Sequence, residues 1–94
     1  MQTFFDFGLD YSNFDICIPT IIEVYVGNQL VQTQTITLPD IMVKAQFDSI
    51  VQQIIHQSQP MKVIFIRYID IYDRFENKHK QLKTTLEFWN WRDD

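Results

Sequence analysis

Between Thr37 and Pro60 the apolar residues change from a two-residue period to a helical one, and the two-residue period returns afterwards. Val43, Phe47, Ile50, Val51, Ile54 and Ile55 fall on one stripe. Lys44, Asp48, Gln52 and His56 lie on or beside the opposite face. Thr37-Leu38-Pro39-Asp40 reads as the helix start, with Thr37 as N-cap and Asp40 closing a capping box. Pro39 is tolerated there because a first-turn N–H has no helical partner to lose. Pro60 stops the helix soon after Gln57. A lone amphipathic helix has one stripe to bury, so the flanking segments decide the architecture.

Those segments read as strands. Phe5, Phe7, Leu9 and Tyr11 alternate with polar residues or glycine, Ser12-Asn13 suits a turn, and Phe14, Ile16 and Ile18 resume the alternation. Pro19 removes a ladder donor and marks an edge or a bulge. Thr20 to Val26 is apolar and β-branched, Gly27-Asn28 suits a tight hairpin turn, and Gln29 to Thr37 returns as a strand. After the helix, Met61 to Tyr72 is a long strand, followed by a polar turn near Glu76-Asn77-Lys78 and a last strand from Leu82 to Trp91. The order β-β-β-α-β-β predicts an α+β fold: a mostly antiparallel sheet of about five strands with one helix on one face. Two glycines and three prolines leave no linker, so residues 1–94 make one domain.

One helix cannot cover both faces of such a sheet. With Asn77-Lys78 at the centre of a two-residue turn, Tyr72 opposes Lys83, Tyr68 opposes Glu87, Ile66 opposes Trp89 and Ile64 opposes Trp91. The helix-packed face then carries Val63, Phe65, Ile69, Ile71, Leu86 and Phe88. Arg67 intrudes on it and needs an edge or an acid. The outer face carries Ile64, Ile66, Tyr68, Tyr72, Trp89 and Trp91, where a solvated sheet face would carry Thr, Lys and Glu. Such a patch is either a docking surface or a second core under the Phe-rich N-terminal strands.

Few side chains suggest chemistry. Asp70 and Glu87 become diagonal neighbours in that register, and read as surface ion-pair members rather than as an acid–base couple. His56 and His79 read as solvated residues, the latter in the last turn, and Cys17 as a small buried hydrophobe in an apolar strand. One cysteine permits no internal disulfide, and two histidines with it give no zinc spacing. There is no glycine-rich phosphate loop. Neither a metal nor a cofactor is expected, and the chain is read as non-enzymatic.

Charge separates the two halves. Residues 1–60 hold six acids and one base, whereas residues 61–94 hold seven bases and six acids, within an overall charge of −4. Asp6, Asp10 and Asp15 form an acidic rim that would steer a basic partner. A domain this acidic is a poor default for nucleic acid. The alternative is a single-stranded nucleic-acid module using the same aromatic face and the basic turn of Arg74, Lys78, Lys80 and Lys83. No apolar run approaches the ~18 residues of a membrane span, and the start has no signal-peptide pattern. The reading is a small acidic cytoplasmic protein that binds another protein or itself through the aromatic face, as homodimer, small subunit or stoichiometric inhibitor.

Overall fold

A computed structural model describes residues 2–3 and 17–91. The elements are β1 (Gln2–Thr3), β2 (Thr20–Val26), β3 (Gln29–Ile36), α1 (Asp40–Ile54), β4 (Met61–Asp73) and β5 (Lys78–Trp89). The sheet is antiparallel throughout, in the order β1-β5-β4-β2-β3, and α1 lies on one face. The α+β class and the single helix among the described residues agree with the sequence reading. The expected five full strands reduce to four, of seven to thirteen residues, because β1 is a two-residue addition beside β5. The strand expected over 5–11 lies outside the described residues, as does that over 14–18 except for Cys17, which makes an isolated bridge to Pro39, and Ile18, which is in no strand.

Alternation on β2, β4 and β5 builds the core. Ile22, Val63, Phe65, Leu86 and Phe88 point to the helix, and Val43, Phe47 and Ile54 meet them from α1. Phe47 and Phe65 pack edge to face with ring centroids 5.2 Å apart. Of the predicted stripe, Ile50 and Val51 are half-buried and Ile55 is exposed beyond the last turn. On the predicted core face of β4, Ile69 is half-buried and Ile71 exposed, because α1 does not reach that far.

The helix begins differently from the capping-box expectation. Asp40 is its first residue, Pro39 occupies the N-cap, and no side chain caps the end. The Pro39 carbonyl accepts from Met42 and Val43. Asp40 turns inward instead, where its Oδ1 accepts from Arg67 Nη2 at 2.6 Å. Arg67 is fully buried, so its charge needs a counter-charge more than the helix end needs a cap. Its Nε donates to Thr20 Oγ1 at 3.0 Å, and the Thr20 hydroxyl donates to the Ile18 carbonyl. The sequence required an edge or an acid for Arg67; the structure supplies the acid.

At the other end of α1, Asn90 is the clamp. Its Nδ2 donates to the carbonyls of Ile54 and Gln59, each at 2.9 Å, and its Oδ1 accepts from the Met61 amide at 2.8 Å. The helix-to-strand connection is thereby tied to the end of β5.

Candidate interaction surface

The two strands of the last hairpin pair from Lys62–Trp89 to Asp73–Lys78, joined by the four residues 74–77 with Asn77 at φ 52°. The expected two-residue turn at Asn77-Lys78 is therefore corrected. Asp73 organises the longer loop by accepting from the Phe75 and Glu76 amides through Oδ1, leaving the left-handed position to Asn77. This moves the register by four residues. Tyr68 faces Lys83, Tyr72 faces His79, Ile64 faces Glu87 and Ile66 faces Thr85. An even shift leaves every side chain on its assigned face.

The outer face is consequently a set of rows. Tyr25, Lys62 and Trp89 form one, with the Lys62 ammonium 4.7 Å from the Tyr25 ring centroid. Trp91 stacks on Trp89 at 5.9 Å between centroids. Glu23, Ile64 and Glu87 form the next row, then Ile21, Ile66 and Thr85. The Tyr25 hydroxyl donates to Glu23, and its acidity is weakened first by desolvation and then by that carboxylate. Beyond Ile66, β2 no longer accompanies β4, and a two-stranded arm continues with Tyr68 and Tyr72.

The six predicted contact residues thus share a face without forming one patch. Ile66 is only 6% exposed. Ile64, Trp89 and Trp91 are half-buried, and the Trp89 indole N–H is buried with no acceptor among the described residues. Tyr68 and Tyr72 are presented to solvent, at 49% and 51%. Tyr72 also donates to Asn77 Oδ1 and packs against the His79 ring. Phe75, at the arm's tip, is fully exposed. Sequence reading missed Phe75 because a residue in a turn belongs to no periodic stripe; its only signal was an aromatic inside a polar loop.

Other expectations change as well. Asp70 faces Gln81 and Glu87 faces Ile64, six residues apart along β4, or roughly 20 Å, so they form no carboxylate pair. His79 belongs to β5 rather than to a turn. Cys17 is exposed, since it precedes β2 and touches the fold through a single bridge to Pro39. The acidic rim Asp6, Asp10 and Asp15 lies outside the described residues. Two of the four bases of the basic turn are paired within it: Lys80 with Asp73 and Glu76, and Lys78 with Glu76. Lys80 ammonium beside Asp73, with the loop amides, holds that carboxyl below its ordinary range. Glu76 and then Asp73 raise the Lys80 ammonium in turn.

A recess of about 300 Å³ opens between α1 and β3, rimmed by Gln32, Gln34, Gln46 and Gln53 over an apolar floor. No group of three or more His, Cys, Asp or Glu able to hold a metal occurs among the described residues. Among them, too, no helix is long and apolar enough to cross a membrane. The chain matches no known family, no curated protein and no solved structure.

Proposed function

We propose that this chain is a non-enzymatic protein-binding domain that docks through the arm and outer face of its last hairpin. The observation that carries the reading is the arm itself. Residues 68–73 and 78–83 extend past β2, and Tyr68, Ile71, Tyr72, Phe75 and Leu82 are all 42% exposed or more. Aromatic anchors of this kind dominate binding energy when a partner covers them. The half-buried Trp89–Trp91 stack supports the base of the same face rather than serving as its most accessible anchor. The acidic balance of residues 1–60 favours a basic partner and speeds its encounter. An unpaired exposed thiol at Cys17 suits a reducing compartment, so the site of action in this reading is the cytoplasm.

Photo-crosslinking tests the proposal. A photoreactive phenylalanine is placed at Tyr72, at Phe75 or, as control, at Asp48 on the helix, and irradiated in the source cells. The expected result is one defined adduct from positions 72 and 75, absent from position 48 and lost on adding Tyr68→Lys. Equal, diffuse labelling from all three positions rejects the arm as a docking site.

A further inference from the structure

We infer that the outer edge of β3 pairs antiparallel with β3 of a second copy of this chain, centred on Gln34. This surface is distinct from the arm. From Val24 to Pro39 there are sixteen consecutive residues without a charge, and all eight basic and twelve acidic residues lie outside that stretch. β3 falls wholly within it, and Gln29 to Thr35 are all exposed. Among the described residues no strand pairs with its outer side.

Sheet edges in soluble proteins are commonly blunted by charged side chains, proline or a bulge. β3 has only the bulge, at Val31, where Tyr25 faces Leu30 while Val24 faces Gln32. From Gln32 to Ile36 the ladder is regular. The opposite side of the sheet differs: β5 carries Lys78, Lys80 and Lys83, and β1 covers it at Glu87 and Phe88.

The occupant follows from charge and symmetry. Two copies each at −4 repel, and the neutral strand is where they approach with least cost. A two-fold axis at Gln34 sets Gln34 against Gln34 of the other copy and Thr33 against its Thr35, and Thr–Thr pairs across strands are favourable. Even spacing keeps both helices on the same side of the joined sheet. A contact of five residues per copy is small, so the association is concentration-dependent rather than obligate.

Light scattering behind size-exclusion chromatography, over a concentration series, reads the result. The chain is expected to rise from the mass of one copy towards two. Gln34→Lys and Gln34→Glu, both at an exposed position, each set like charges across the axis and raise the dissociation constant about fivefold. An equimolar mixture of the two restores association, which loss of folding in either variant cannot mimic. Phe75→Ser leaves it unchanged. A monomer at every concentration overturns the inference, as does self-association indifferent to Gln34 or a mixture that fails to recover. Dimers lost with Phe75→Ser instead assign self-association to the arm.

Discussion

The two halves of the β4–β5 hairpin share a continuous backbone and occupy opposite environments. The near half is flanked by β2 and β1 and roofed by α1, and it buries Val63, Phe65, Leu86 and Phe88. The far half has no neighbouring strand among the described residues and exposes Tyr68, Tyr72, Leu82 and Phe75. Arg67 stands at the boundary, one residue past the last β2 pairing. The difference teaches that strand formation and core formation are separate matters here. Thirteen residues of β4 adopt one conformation, but α1 and β2 reach only about half of them. The near half holds the fold, and the far half is available for binding.

The boundary is the place to break this division. Asp40→Ala removes the Asp40 carboxylate from the charged, buried Arg67, and is expected to cost about 3–5 kcal/mol, read as a lowered urea midpoint. Replacing both Asp40 and Arg67 by leucine is expected to recover most of the loss, since apolar side chains fill the site and neither member of this pair remains as a buried charge. Asn90→Ala comes next. It orphans the Met61 amide and takes one donor from the Ile54 carbonyl, which keeps the Gln57 amide, at about 1–3 kcal/mol, with faster hydrogen exchange at Met61. Phe75→Ser at the arm's tip is expected to move stability by less than about 0.5 kcal/mol while abolishing the crosslinked adduct.

The smallest effect is a pH effect confined to the tip. The Asp73 carboxyl is held below its ordinary value by Lys80 and the loop amides, so its stabilisation of the folded loop is present above that ordinary value. It is lost as pH falls through the lowered one. Protection of the Phe75 and Glu76 amides should therefore survive mild acid and fall only at stronger acid, while the core amides stay unchanged. Lys80→Met should move that loss to higher pH.

Patterned features were legible in the sequence. The helical stripe, the Gly27-Asn28 hairpin, with Gly27 at φ 60°, and the assignment of faces along β4 and β5 rest on local periodicity, which a linear chain displays. Asp40 was misread because its nearest local role, a capping box, hid a partner 27 residues away. The hairpin register slipped because Asp73, not Asn77, organises the loop, so the turn holds four residues. Asn90 gave no signal at all. A single amide between two tryptophans has no period, and its acceptors come from chain 31 to 36 residues earlier. The supposed continuous aromatic patch required the true register to be resolved into rows.

Asn90 also sets an order of events. Residues 40–60 leave the ribosome before β5 is complete, so until Asn90 arrives the Gln59 carbonyl and the Met61 amide lack the side chain that joins them, while the Ile54 carbonyl already holds the Gln57 amide. The connection over 55–60 reaches its final shape only when the closing strand has docked. A nascent chain stopped short of that residue has a closed helix end and an untied loop.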